Sequence, residues 1–185
     1  MARSGESGAR EGSSAESIRS FHDRFVELFG LHHPRLLRVM VRLSGDPELA
    51  ADLVQEAFVS LYRRGALPDA LEAWLITVAL NRLRNERASR GRRARLILTH
   101  ANPAPPSPPV TLGEAAAADT TRRAVRAALE RLTERERQLL VLRSEGYPYR
   151  EIAVALGMNE ASVGTLLARA RRAFLAAYEG RDASR

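Results

Sequence analysis

Apolar residues recur at helical spacing along most of the chain, and the polar positions between them vary sharply in charge. The clearest stripe is Leu49, Leu53, Val54, Ala57, Phe58, Leu61 and Tyr62, with Asp52, Gln55 and Glu56 off it. It opens on the turn Ser44-Gly45-Asp46-Pro47, where Asp46 can cap a helix and Pro47 can take its first position. After a break at Gly65 to Asp69, Trp74 to Asn81 predicts another helix with an apolar face. That helix runs into Arg82, Arg84, Arg87, Arg90, Arg92, Arg93 and Arg95, opposed only by Glu86.

Upstream of the stripe, Phe21, Phe25, Leu28 and Phe29 begin a first helix. Pro34 stands near the start of a second, which carries Leu36, Leu37, Met40, Val41 and Leu43, with Arg35, Arg38 and Arg42 on its other side. Residues 1–18 are rich in Ser, Gly, Glu and Ala, lack a periodic apolar face and read as a disordered tail. Residues 19–95 therefore form a three- to four-helix domain whose stripes must pack together. Residues 96–117 form a flexible linker, because the prolines of Asn102 to Pro109 cannot continue a helix.

A second helical domain, 118–180, follows. Ala115 to Leu129 reads as helix with Val125 and Leu129 inward, and Thr133 and Glu136 have the spacing of a capping box. Helices are predicted over Glu134 to Ser144, burying Leu139, Leu140 and Leu142 or their neighbours, then over Tyr149 to Leu156 and Glu160 to about Tyr178. The last two make a helix-turn-helix. Ala153 is small where the helices approach, Gly157 tolerates the turn, and Val163 points back to the first helix. Asn159 is placed to cap the second helix. Ser162 and Thr165 can donate to phosphate or a base edge, while Arg169, Arg171 and Arg172 can hold the backbone. Gly164, inside that helix, costs it stability relative to alanine. A plain helical hairpin in a core fits the same pattern.

Composition narrows the function classes. The formal charge is +7, and every one of the 29 basic residues is arginine. Residues 61–95 hold nine arginines against three acids, whereas 21–60 hold four against six, so positive charge is focused where an anionic partner would touch. The absence of cysteine excludes disulfides and a thiol nucleophile and removes the usual ligands of a structural zinc site. No run of 18 apolar residues is present and the start lacks a signal-peptide stretch, so membrane insertion is not expected and a cytoplasmic setting is. His22, His32, His33 and His100 do not combine with acids at a metal or acid–base spacing, and His32 and His33 read as surface or loop residues. No metal, catalytic residue or cofactor is predicted.

Two separated segments resemble one family. Residues 21–95 carry Leu43-Ser44-Gly45-Asp46, Asp52-Leu53-Val54-Gln55-Glu56-Ala57-Phe58, Ala73-Trp74-Leu75 and Ala79-Leu80-Asn81-Arg82-Leu83. Residues 121–178 carry Leu129 to Arg137, Tyr149-Arg150-Glu151-Ile152-Ala153, Leu156-Gly157 and Ala168-Arg169-Ala170-Arg171. These resemble regions 2 and 4 of the bacterial extracytoplasmic-function sigma factors, compact members of the sigma-70 family.

The resemblance implies an all-α fold of two small helical domains and a dissociable sigma subunit with no catalytic centre. It directs bacterial core RNA polymerase to promoters and assists their opening. Asp52, Gln55 and Glu56 would bind the core enzyme. Asn81, Arg82, Arg84 and Arg87 would hold the locally melted minus-ten element. Arg150, Asn159, Glu160, Ser162, Thr165, Arg169 and Arg172 would contact the double-stranded minus-thirty-five element. Trp74 is expected to anchor the core rather than stack on a base. An anti-sigma factor is a further implied partner. Two alternatives stay open: a sigma-like decoy that binds an anti-sigma factor without supporting transcription, and a stand-alone helix-turn-helix regulator. The family pattern has Lys or Arg early in its last helix, where Ser162-Val163-Gly164-Thr165-Leu166 stands here.

Overall fold

The computed structural model describes residues 7–98 and 115–182. Among them all regular structure is α-helix: α1 Ser7–Ser44, α2 Pro47–Arg64, α3 Leu71–Leu98, α4 Ala115–Glu130, α5 Glu134–Ser144, α6 Tyr149–Leu156 and α7 Glu160–Asp182. They form two helical clusters in chain order, α1–α3 and α4–α7, and the compact units divide inside α3, as Met1–Ala79 and Leu80–Arg185. The proline run and His100 lie outside the described residues.

Two differences from the sequence reading concern α1. One helix of 38 residues stands where two were predicted, with Pro34 inside it. An interior proline denies the carbonyl four residues back its partner and costs roughly 3 kcal/mol or more. Beyond it, however, Leu36, Val39, Met40 and Leu43 are all 3 % exposed or less. At about 1.5–3 kcal/mol for each fully buried apolar side chain, this packing outweighs the proline. The helix also begins at Ser7, inside the stretch predicted as tail. Alanine, glutamate and arginine favour helix without any apolar stripe, and elongating an existing helix is cheap compared with nucleating one.

In the first unit α1 packs along α2. Phe21, Phe25, Phe29 and His33 form a ladder on α1 that meets α2 edge-on, with Phe25 and Tyr62 at 5.2 Å and Phe29 and Phe58 at 4.8 Å between centroids. His32 and His33 are thus half-buried within a helix, not surface or loop residues; ring contacts that sequence spacing does not show hold His33. Leu53, Val54, Phe58 and Leu61 of α2 and Leu75 and Ile76 of α3 complete the core. Glu72, in the first turn of α3, accepts from His32 Nδ1 at 2.9 Å and from Arg35 Nη1 at 3.0 Å, which ties the start of α3 to α1.

In the second cluster α7 packs against α4, α5 and α6. Leu132, Leu139, Val141, Leu142, Tyr147, Ile152, Val163 and Leu167 fill the centre. On α4 the buried residue is Ala128; Leu129 is half-buried and Val125 lies outward, 36 % exposed. The predicted inward face is rotated because an alanine permits the closer approach of α7. Helix α7 continues past Tyr178 and Gly180 to Asp182.

Candidate functional site

Helix α2 starts where local chemistry places it. Asp46 accepts from the Glu48 and Leu49 amides, both at 3.1 Å, and Pro47 fills the first helical position without wasting a donor. Ser44 locks the turn, donating from its hydroxyl to the Asp46 carbonyl at 2.9 Å and accepting from the Asp46 amide at 3.1 Å. Gly65 ends the helix in the left-handed region, at φ 67°. Between these stops Leu53, Val54, Ala57, Phe58 and Leu61 are buried, so Asp52, Gln55 and Glu56 project together into solvent. Their spacing of three and four residues puts them on one face. The three predicted contact residues are brought together.

Helix α3 changes character along its length. Trp74 is half-buried, and the helix interior is braced by Thr77, whose hydroxyl donates to the Ala73 carbonyl at 2.7 Å. Asn81 and Arg84 are exposed and bonded to each other, Arg84 Nη1 donating to Asn81 Oδ1 at 3.2 Å; Arg82 and Arg87 are half-buried. Further on, Arg90 pairs with Glu86 at 3.1 Å and Arg93 donates to Ser89 at 3.1 Å. From Arg82 to Arg93 the basic segment extends about 16 Å at the helical rise. It is long enough to follow several phosphates of a nucleic acid strand.

The helix-turn-helix rests on α5. Thr133 and Glu136 close the predicted capping box: the Glu136 amide donates to Thr133 Oγ1 at 3.3 Å and the Thr133 amide to Glu136 Oε2 at 3.0 Å. The Thr133 hydroxyl, donating to the carboxylate at 2.7 Å, holds Glu136 below the ordinary carboxylate range, and the Thr133 amide adds to this. Gly157 sits in the left-handed region at φ 60°, its amide reaching the Val154 carbonyl while the Met158 amide reaches Ala153 at 2.9 Å. This pair of bonds closes α6 and turns the chain into α7. Ala153 and Val163 are buried at the crossing, 4 % and 0 % exposed, as the spacing predicts.

The Asn159 Oδ1 atom caps α7, accepting from the Ala161 amide at 2.9 Å. Glu160, Ser162, Thr165, Arg169 and Arg172 are exposed on α7, and Arg150 is exposed on α6. The sequence reading missed Arg143 and Tyr149. Arg143, exposed at the end of α5, donates to the Tyr147 carbonyl at 3.2 Å and lies over the Tyr149 ring, 5.4 Å from its centroid. The ring's other neighbour is Gly164: a Cβ built there would stand 3.6 Å from Tyr149 Cε2. No periodic signal links these residues, which belong to three different helices.

Among the described residues no group of His, Cys, Asp and Glu could hold a metal ion, and no helix is long and apolar enough to cross a membrane.

Comparison with known proteins places both clusters. The family model for sigma-70 region 2 matches residues 28–93, and that for sigma-70 region 4 matches residues 122–174. The RNA polymerase sigma factor CarQ of Myxococcus xanthus is 30 % identical over 156 residues, covering 82 % of this chain and 86 % of that protein. The ECF RNA polymerase sigma factor SigJ of Mycobacterium tuberculosis is 34 % identical over 168 residues, covering 82 % of this chain. The chain spans about half the length of the mycobacterial relatives it matches, 50 % of SigJ and 55 % of SigI. A similar fold occurs in the sigma factor RpoE solved with the anti-sigma factor NepR from Bartonella quintana. Its TM-score is 0.64 at 21 % identity, covering 84 % of this chain and 97 % of that one. CnrH in complex with the cytosolic domain of CnrY gives a TM-score of 0.61 at 24 % identity, covering 90 % of this chain and 94 % of that one. With region 2 on α1–α3 and region 4 on the helix-turn-helix cluster, the chain belongs to the extracytoplasmic-function sigma factors of the sigma-70 family.

Proposed function

We propose that this chain is a dissociable sigma subunit that directs bacterial core RNA polymerase to promoters and assists their opening. The observation that carries this reading is the pairing, on one folded region 2, of an exposed Asp52–Gln55–Glu56 face with a basic α3, followed by a folded region 4. Residues 19–95 bind core polymerase and the minus-ten element, 96–117 act as linker, and 118–180 bind the minus-thirty-five element. Asp52, Gln55 and Glu56 dock on the core enzyme, with Leu53 and Phe58 as packing beneath them. Asn81, Arg82, Arg84 and Arg87 hold the melted strand. Arg150, Asn159, Glu160, Ser162, Thr165, Arg169 and Arg172 face the upstream duplex.

The mechanism needs binding energy and no catalytic group. Each base-pair step opened costs about 1.4 kcal/mol of stacking. Captured bases and neutralised phosphates offset that cost, while polymerase performs the nucleotide chemistry. The setting is cytoplasmic, and an anti-sigma factor is a further partner, in keeping with the two similar folds solved in such or comparable complexes.

Reconstitution tests the reading. Purified chain mixed with bacterial core polymerase should give specific run-off transcription. Core binding without initiation would favour the decoy; palindromic DNA binding without core association would favour a stand-alone regulator.

A further inference from the structure

The surface that the helix-turn-helix turns to solvent is short and uncharged at its centre and cationic at its rim. On the first turns of α7 the exposed positions are Glu160, Ala161, Ser162, Thr165 and Ala168; the first exposed arginine, Arg169, comes about 14 Å along the helix from Glu160. Asn159 uses its side-chain oxygen as a cap. Glu160 is a carboxylate that phosphates repel. Gly164 stands in the middle of this stretch.

Packing does not require that glycine. A Cβ at position 164 would meet only the Tyr149 ring, at the ordinary contact distance of 3.6 Å, and α7 carries the helix-weakening residue nonetheless. The consequence of the missing side chain is an uncovered ring: Tyr149 stays 39 % exposed, braced by Arg143 over its face. Around it lie the exposed arginines 143, 150, 169, 171 and 172. Arginines at a rim suit phosphates, which position a protein without informing it of sequence. Bidentate base reading needs a long donor at the centre, and none stands there.

We infer that the region 4 module of this chain grips duplex DNA chiefly through its backbone, with little base discrimination, and that Gly164 is the residue that sets this. The choice among promoters then falls to region 2. The inference rests on the sigma-subunit reading above and adds where specificity resides.

A selection decides it. Full-length chain is assembled with bacterial core polymerase and offered duplexes randomised at both the upstream and the minus-ten elements; heparin-resistant complexes are recovered and sequenced. The wild-type chain should fix bases in the minus-ten element and leave every upstream position within about threefold of the input pool, short of the roughly tenfold expected of one bidentate contact. Gly164→Arg should raise at least one upstream base pair by about tenfold or more. Gly164→Ala, which adds only a fitting methyl, should keep the flat upstream profile.

Upstream bases fixed tenfold or more by the wild-type chain overturn the inference, whether or not the arginine variant folds. So does a flat profile for a Gly164→Arg variant whose circular dichroism and core association match wild type. A chain that binds core but fixes bases in neither element also overturns it, since the choice then lies in neither module. Failure to associate with core polymerase at all sinks the sigma-subunit reading itself.

Discussion

Replacing Gly164 by alanine should make the protein more stable, and the size of the gain follows from what surrounds the position. Glycine inside a helix is disfavoured relative to alanine by roughly 0.8–1 kcal/mol, largely because the unfolded chain has more freedom to lose. The new methyl meets no backbone; its one close neighbour is Tyr149 Cε2 at 3.6 Å, an ordinary contact. No strain therefore subtracts from the gain. For a helical unit of this size, about 1 kcal/mol corresponds to a rise in Tm of roughly 4–8 °C. The assay must report region 4 specifically. Trp74 is the only tryptophan and lies in the first unit, so its fluorescence follows the wrong module. Far-ultraviolet circular dichroism combined with hydrogen exchange at α7 amides separates the two. An unchanged or lower Tm for the α7 transition would refute the reasoning, since it would mean that the helix packs more closely at Gly164 than the 3.6 Å spacing allows.

Three further outcomes are expected. Asp52→Ala combined with Gln55→Ala should weaken association with core polymerase at least tenfold, about 1.4 kcal/mol, while leaving duplex binding by region 4 unchanged; equal affinity in a core-binding titration would remove these side chains from the interface. Neutralising Arg82, Arg84 and Arg87 together should impair open-complex formation and reduce the salt slope of strand binding by about 2, at roughly 0.7 per single-strand phosphate contact; a permanganate footprint and salt titration identical to wild type would contradict the role. Glu136→Gln keeps the capping geometry but removes the charge. Because the folded carboxyl is held below its ordinary value, its stabilising contribution is present above the unfolded carboxylate range and is lost as pH falls through the lowered folded value. The stability gap between wild type and variant should therefore close on acidification, and a gap independent of pH in urea titrations would show that the Thr133 contacts do not bias the charged form.

What the sequence determined by itself is whatever a few neighbouring residues settle among themselves. Asp46 and Pro47 start α2 and Gly65 stops it; Thr133 and Glu136 start α5; Gly157 turns the chain between α6 and α7. In each case the donors and acceptors lie within four residues, so their pattern can be read along the chain. The same holds for the Asp52–Gln55–Glu56 face, since a helical stripe that buries Leu53, Val54 and Phe58 leaves those three outward. Tertiary structure alone decided that Pro34 does not break α1, because the compensating burial of Leu36, Val39 and Met40 depends on packing that no local pattern records. It also decided that Ala128 rather than Val125 faces inward, and that His32 and Arg35 share Glu72, thirty-seven residues beyond Arg35. Arg143, Tyr149 and Gly164 meet only after three helices have packed, and their meeting is a property of the folded chain. Short-range hydrogen bonds leave a mark in the order of residues; the outcome of competing burials does not.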